Sequence, residues 1–354
     1  MILIPLLELL SYIAFSFVAG HLVFRFVRKE EAAIRTPRSD LLAAAASAAL
    51  VTSGPVINLF SVLGAQNGYG QALEQVLLQS GAGRIWIGIF VLGVCVWLLL
   101  FYDKFPVLTF ILFLGMVFLY AFGSQAGEAG FVDFISRFIH LGASVFWVGV
   151  LIHVCFYTPE HFSWESFLKW FKPFVILLVL TVIISSVTVT LSAMDIQDYG
   201  NVLMLTYGQV LLIKYILFIP VLVFTIITFS TKKSRLVPIF RPIDWIRSVT
   251  ILLGIIFICN AILSSSATPA NITEVLRNEG SAPIFGSIFP SVTAGSVATW
   301  HVGAIGVFCF FGFCLIMASL IFILKKKAAA GLALAAAFAA SGLLYAAIMT
   351  SVQF

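Results

Sequence analysis

Four of the five histidines in the chain lie within long hydrophobic stretches, where an imidazole is rare unless it has a function. They are His21, His140, His153 and His301. Neutral imidazole is the commonest metal ligand in proteins, and imidazoles from neighbouring helices can hold a copper ion or the iron of a haem. The alternative to a metal or haem ligand is that each ring hydrogen-bonds a neighbouring helix or faces interfacial water. Residue type and depth therefore predict metal or haem chemistry inside a membrane.

The segment 134–157 carries two of these residues, His140 and His153, with Trp147 between them. A helix rises ~1.5 Å per residue, so the two rings lie roughly 20 Å apart, one near each face of a bilayer. The same spacing turns the rings roughly 140° from each other around the helix. We therefore expect two separate stations, with His140 and His301 near the outer face and His21 and His153 near the inner face.

Soft ligands close to these histidines extend the copper interpretation, because thioether and thiolate groups favour Cu(I). On the outer side the candidates are Met194 and Met204, with Asp195 and Asp198 between them. On the inner side Cys155 lies two residues after His153. Each also has an ordinary explanation, as an interfacial residue at a helix end or as a buried inert thiol.

Lys214 is the other costly side chain, because an ammonium group within a span must pair, reach the interface or face water. It follows Tyr207 closely, near the predicted outer end of its span. Three interpretations stay open: Lys214 reaches the interface, it pairs with Asp195 or Asp198, or it is a fixed positive group beside an ion route.

The composition sets the fold class, since 61% of the 354 residues are hydrophobic and only 10% are charged. Continuous apolar runs rather than alternating ones predict helices, and only helices or closed barrels satisfy the backbone within lipid. We predict an all-α polytopic transmembrane bundle, a single membrane domain over 1–354, with an outer connecting loop at 268–299. The expected spans, about ten in number, are 3–27, 40–62, 84–102, 106–123, 134–157, 172–193, 208–230, 246–266, 299–324 and 329–350.

Lysine and arginine cluster in alternate connections, at 25–38, 104, 169–172, 232–247 and 325–327. Positive charge marks the cytoplasmic side, so both termini are expected outside a bacterial cytoplasmic membrane. These clusters account for the net charge of +5. No nucleic-acid motif is present, and we expect the lipid bilayer, not nucleic acid, as the partner.

Two motifs resemble those of a known family. The segment from Arg137 to Leu151, RFIHLGASVFWVGVL, resembles the His-and-Trp helix of the CopD family of bacterial copper resistance and copper uptake membrane proteins. The segment from Leu205 to Lys214, LTYGQVLLIK, resembles that family's Thr-x-Tyr-Gly turn and the helix after it. The similarity is clearest over 134–230. It implies copper movement across the cytoplasmic membrane, with a separate extracellular copper-binding protein as a possible donor.

Three functions follow as hypotheses. The first is copper uptake, with His140, His301, Met194 and Met204 outside and His21, His153 and Cys155 inside. The second is a b-type haem protein that moves electrons between one or two haems held by the same histidines, which would make the chain an oxidoreductase. The third is a copper-binding assembly factor without transport. Oligomeric state is not predicted.

Overall fold

A computed structural model describes residues 3–27, 34–123, 130–230, 242–290, 292–293, 295–325 and 330–353. Within these ranges the chain is almost wholly helical, which confirms the all-α prediction. The helices are α1 (Leu3–Phe26), α2 (Arg38–Val51), α3 (Gly54–Asn67), α4 (Tyr69–Glu74), α5 (Gly81–Tyr102), α6 (Pro106–Gly123), α7 (Phe131–Tyr157), α8 (Trp164–Ala193), α9 (Tyr199–Val202), α10 (Thr206–Ser230), α11 (Pro242–Ser265), α12 (Ile272–Glu279), α13 (Pro283–Ile288), α14 (Ala304–Lys325) and α15 (Ala330–Met349). Two short strands, β1 (Thr299–Trp300) and β2 (Val352–Gln353), pair antiparallel.

The helices are long enough to cross a membrane where the sequence predicts spans. Nine helical segments of the described chain have the length and hydrophobicity of a span, and α14 adds a shorter apolar one. A helix of 20 residues is about 30 Å long, which matches the hydrocarbon core of a bilayer. The chain is therefore a multi-pass membrane protein.

The second predicted span, 40–62, is not one continuous helix. It breaks at Thr52 and Ser53, between α2 and α3. Pro55 follows as the second residue of α3 and has no backbone N–H to donate to the preceding turn. The proline therefore ends one helix and begins the next, and the hydroxyl of Thr52 hydrogen-bonds the carbonyl of Ala49 at the break (3.1 Å).

The chain divides into two compact units, Met1–Ser192 and Ala193–Phe354. The single membrane domain over 1–354 stays a prediction. In the first unit α1 packs against α7, α2 and α6, while α5 packs against α2 and α6. Side chains at Gly20 on α1 and Gly149 on α7 would collide with the opposite backbone. Small residues of this kind let membrane helices approach closely.

In the second unit α10, α11, α14 and α15 pack together. The alanines of α15 include fully buried Ala333, Ala337 and Ala340, consistent with a packing role for this helix. The predicted loop at 268–299 contains α12 and α13. Their side chains Leu276 and Phe285 join a buried cluster with residues at the start of α10 and the end of α15.

Several of the lysines and arginines that predict the orientation of the chain in the membrane lie outside the residues that the structure describes. Arg28, Lys29, Lys232, Lys233, Arg235, Arg241, Lys326 and Lys327 lie outside the described residues. The positions of the two termini relative to the membrane therefore stay a prediction.

Candidate functional site

The candidate inner site lies where α1 and α7 cross at Gly20 and Gly149. His153 is on α7 one turn after Gly149, and its ring would collide with any side chain placed at Gly20. His21 is the residue after Gly20, and its ring is close enough to His153 for the two to interact electrostatically. The two histidines that the sequence paired at this depth thus lie on helices that contact each other, within range of an electrostatic interaction.

The ring of His153 has one satisfied nitrogen and one unsatisfied nitrogen. Its Nδ1 lies 2.9 Å from the carbonyl oxygen of Gly149, and because a carbonyl only accepts, Nδ1 carries the proton. The lone pair is therefore on Nε2, which is buried and has no hydrogen-bond partner among the described residues. A buried polar atom without a partner is uncommon in a native structure, and a neutral imidazole oriented by a backbone carbonyl is a typical metal ligand.

Aromatic rings enclose this imidazole. Phe17 lies 4.8 Å and Phe24 6.0 Å from His153 between ring centroids, both on α1. Tyr157 lies 5.8 Å away on α7, and its hydroxyl donates to Asp40 on α2 (2.7 Å). The His153 side chain is fully buried as a result, so any ligand on Nε2 is shielded from bulk water.

A charged pair stands beside His21. Arg25, one turn further along α1, bonds the carboxylate of Asp103 at 2.8 Å and its backbone carbonyl at 3.1 Å. Asp103 adopts a left-handed conformation (φ 53°) as it ends α5. The carboxylate offsets the positive charge of Arg25, so a cation near His21 meets less repulsion than the sequence alone suggests.

The candidate ligand Cys155 does not complete a larger cluster. Within the described residues no group of three or more His, Cys, Asp and Glu side chains is arranged to hold a metal ion. The expected inner station of His21, His153 and Cys155 is therefore not assembled as a cluster of three ligands among the described residues. A pair of neutral imidazoles offers two nitrogen ligands, suited to an ion of low charge.

The other histidine of α7 faces a different neighbour, as the helical spacing predicts. The Nδ1 of half-buried His140 lies 3.1 Å from the hydroxyl oxygen of Ser185 on α8. Because that hydroxyl donates its own proton to the carbonyl of Thr181 (2.6 Å), it accepts from His140. His301 belongs to the second unit, so its pairing with His140 stays a prediction.

His301 also differs from the sequence prediction in its secondary structure. It was expected inside a span beginning at 299, but it is exposed between β1 and α14, which begins only at Ala304. Its backbone N–H donates to the carbonyl of Ser351 (2.8 Å). The short strand pair that holds this segment cannot be read from hydropathy.

The outer candidates between α8 and α10 have local structural roles. Met204 is 2% exposed within the apolar cluster, and its carbonyl accepts from Ala282 (2.8 Å). Met194 is half-buried where α8 ends. Asp195 accepts from the backbone of Gln197 (3.0 Å) and Asp198 from the side chain of Asn201 (3.4 Å), both at exposed positions.

The same connection contains a half-buried tyrosine, Tyr199 in α9. Burial, with a smaller contribution from neighbouring Tyr215, raises the pKa of Tyr199 to about 12. The phenol therefore stays protonated at physiological pH and contributes no negative charge to the proposed outer ligands.

Of the remaining candidates, Trp147 is 2% exposed in the core of the first unit, and Tyr207 is half-buried at the start of α10. Lys214 is half-buried on α10, close enough to Cys259 on α11 for an electrostatic interaction. Within the described chain no ion pair joins Lys214 to Asp195 or Asp198, and that interpretation stays a prediction. Both aspartates instead satisfy the polar groups of their own turn.

Sequence reasoning missed two polar pairs of the first unit. Arg25 with Asp103 and Tyr157 with Asp40 each join residues distant in the chain. It also missed Glu8, an acidic residue within α1 that is 8% exposed. Glu8 carried a readable signal, because it is an acid inside a long apolar run. The two pairs carried none.

No protein-family model, curated protein or solved structure matches the chain.

Proposed function

We propose that this protein moves copper across a bacterial cytoplasmic membrane, inward, and that His21 and His153 form its inner copper station. One observation carries the proposal: the buried lone pair of His153 Nε2 has no hydrogen-bond partner among the described residues. Leaving a buried acceptor unpaired costs about 1–3 kcal/mol, a cost that a bound metal ion would remove. The resemblance to the CopD family points to the same metal.

The chemistry of the two imidazoles favours a singly charged copper ion. Imidazole suits copper among the first-row metals, and a site without a carboxylate ligand suits Cu(I) better than a more highly charged ion. The rings of Phe17 and Phe24 keep water away from His153, which protects Cu(I) from competing water ligands. The pair Arg25 and Asp103 supplies no net charge.

The direction and the outer station are further parts of the proposal. From the basic clusters we propose that both termini lie outside, with His21 and His153 near the cytoplasmic face. His140, His301, Met194 and Met204, assisted by Asp195 and Asp198, then collect copper at the outer face from an extracellular copper-binding protein. The exposed positions of His301, Asp195 and Asp198 leave them accessible to such a donor.

The alternative of a haem fits the inner site poorly. A porphyrin held by His21 and His153 would have to separate α1 from α7, but Gly20 and Gly149 bring these two backbones into contact at this depth. One feature favours a haem: Nη1 of Arg25 is buried without a hydrogen-bond partner in the described chain and could pair with a propionate. A visible spectrum of the purified protein separates the two, since a Soret band that shifts on reduction would overturn the copper assignment.

Copper binding is tested by titrating Cu(I) into the purified protein in nanodiscs against a chromophoric chelator, followed by X-ray absorption at the copper edge. We expect one inner copper with nitrogen ligands, lost in His21→Phe. The matched control is His161→Phe, which changes the exposed fifth histidine and leaves binding intact. Equal affinities in wild type and His21→Phe would sink the assignment of this site.

Transport is distinguished from assembly by flux. Proteoliposomes that contain the wild-type protein should accumulate copper, and those with His21→Phe should not. Copper binding with no flux above that of empty liposomes would contradict transport and support the assembly-factor hypothesis.

A further inference from the structure

Glu8 is an acidic side chain inside the first membrane span. It lies on α1, thirteen residues before His21 and therefore roughly 20 Å from it along the helix. The residue is 8% exposed. A carboxyl group at such a position is costly, and acidic residues within spans commonly belong to ion or proton pathways.

A pocket with a cavity volume of about 30 Å³ opens next to this carboxyl group. It lies within the first unit, and residues of α1, α3, α5 and α6 line it, with Thr52 from the break between α2 and α3. The lining residues are Glu8, Thr52, Pro55, Val56, Ala82, Ile85, Trp86, Ile89, Tyr120 and Gly123. A cavity of about 10–15 Å³ on this measure holds one water molecule, so the pocket has room for at least one.

The polar groups of the pocket converge on the carboxyl group. The hydroxyl of Tyr120 on α6 donates to Oε2 of Glu8. Tyr12, one turn further along α1, lies edge-on to Tyr120 with ring centroids 6.2 Å apart. Tyr12 and Tyr120 are titratable side chains of α1 and α6 beside Glu8, and the lining residues from α3 and α5 are not titratable. On α7, which packs against α1, Asp133 and Arg137 form an ion pair with each other (2.7 Å).

A second donor in the same pocket lacks an acceptor. The indole Nε1 of Trp86 on α5 is buried, and no hydrogen-bond partner for it is present in the described residues. Indole nitrogen only donates, so its missing partner is an acceptor: a carboxylate oxygen or a water molecule. The pocket therefore holds one donor that already binds the Glu8 carboxyl group, Tyr120, and an unused donor on Trp86 that a water molecule could connect to the same group.

We propose that Glu8 is the proton-binding site of the transporter, exchanging its proton with water in the pocket as copper is moved. The step is the dissociation of the carboxylic acid O–H bond, with the electron pair left on the carboxylate and the proton passed to pocket water. Tyr120 then donates a hydrogen bond to the charge that forms, and Trp86 is connected to it through a water molecule. This inference rests on the proposed copper transport, to which it adds a proton as the coupled ion.

The experiment is an infrared difference titration of the full-length protein in nanodiscs. A change of pH should produce a carboxylic acid C=O band that shifts in D₂O and that disappears in Glu8→Gln. The control is Glu160→Gln, which removes an exposed carboxyl group of the same type and should leave the band in place. Tyr120→Phe keeps the ring but removes the hydroxyl, and it should move the band. Identical difference spectra for wild type and Glu8→Gln would overturn the proposal.

Flux and binding separate this proposal from the one on which it rests. Copper uptake into liposomes should change by up to about tenfold per pH unit in wild type and be independent of pH in Glu8→Gln. Cu(I) binding at His21 and His153 should be unchanged in Glu8→Gln, which also shows that the variant is folded. If wild type binds no copper but the Glu8 band titrates, copper transport fails while the proton site stands. If Glu8→Gln transports copper with wild-type pH dependence, the proton site fails alone.

Discussion

His153 in the first unit and Gln209 in the second are both polar side chains buried within helices, but their hydrogen bonding differs. Gln209 is 3% exposed and His153 is 0% exposed. Nε2 of Gln209 donates to the carbonyl of Leu203 (2.6 Å), and its Oε1 accepts from Tyr345 (2.5 Å). His153 satisfies only Nδ1. The comparison shows that Gln209 joins α10 to α15 through Tyr345, whereas His153 leaves one buried nitrogen without a partner among the described residues, as the proposed copper site requires.

The largest effect is expected at His153. His153→Phe keeps an aromatic ring among Phe17 and Phe24 and removes both nitrogens. We expect the Cu(I) affinity to fall at least about 100-fold, because a ligand is lost, while the midpoint of thermal unfolding is unchanged or higher. Chelator competition and thermal unfolding in the same detergent measure the two quantities. A variant that keeps its copper affinity, or loses stability as Gln209 variants should, would remove the distinction between the two residues.

The opposite result is expected at Gln209. Gln209→Leu leaves the hydroxyl of Tyr345 and the carbonyl of Leu203 without their partner, and each lost bond costs about 1 kcal/mol. Thermal unfolding should show a loss of about 2 kcal/mol, with Cu(I) affinity unchanged. Gln197→Leu, at an exposed position, is the control and should be neutral. A fall in copper affinity without a fall in stability would make Gln209 part of the metal site.

A smaller effect is expected from the charged pair beside His21. Asp103→Asn leaves Arg25 without its carboxylate partner, so a cation at His21 meets more repulsion. The Asp103 side chain is 80% exposed and water screens it, so we expect the Cu(I) affinity to fall only a few-fold. The deficit should shrink at high salt. Asp198→Asn, another exposed acid, should have no effect on this site. An Asp103→Asn deficit that is equal at low and high salt would exclude the electrostatic explanation.

The smallest effect is expected at the other histidine of α7. Ser185→Ala removes one hydroxyl that accepts from His140 and should cost about 0.5–1 kcal/mol of stability. Inner Cu(I) affinity should be unchanged, because His140 and His153 face different helices. Thr181→Val, which changes a neighbouring exposed hydroxyl, is the control. Weaker inner copper binding in Ser185→Ala would show that the two stations communicate along α7.

The sequence predicted the helices better than the contacts between them. The length of the hydrophobic runs predicted α6 at its observed bounds and α7 and α15 within a few residues. This works because, within lipid, the backbone N–H and C=O groups must hydrogen-bond inside their own helix. It missed the break at Thr52 and Ser53, although Pro55 was a readable signal. It also placed His301 inside a span, because hydropathy does not detect a two-residue strand pair.

The two histidines of α7 show how much the sequence separation of two residues can predict about their neighbours. The thirteen-residue separation of His140 and His153 determined that they face different neighbours, since helical geometry is the same in every context. Which neighbours they face was decided by packing: α1 for His153 and α8 for His140. Spacing also could not show whether His21, His153 and Cys155 form one cluster of three ligands, because that depends on the positions of three side chains at once.

The sequence by itself determined a multi-pass helical membrane protein with imidazoles at two depths, because those properties follow from hydrophobicity and helical rise. The tertiary structure decided which imidazole has an unused lone pair. It did so through the contact of Gly20 with Gly149, which seats the His153 ring against α1, and through the Gly149 carbonyl that fixes the ring proton on Nδ1. It likewise joined Glu8 to Tyr120 across 112 residues of sequence. Local sequence carries no record of such partners, because they are set by the packing of whole helices.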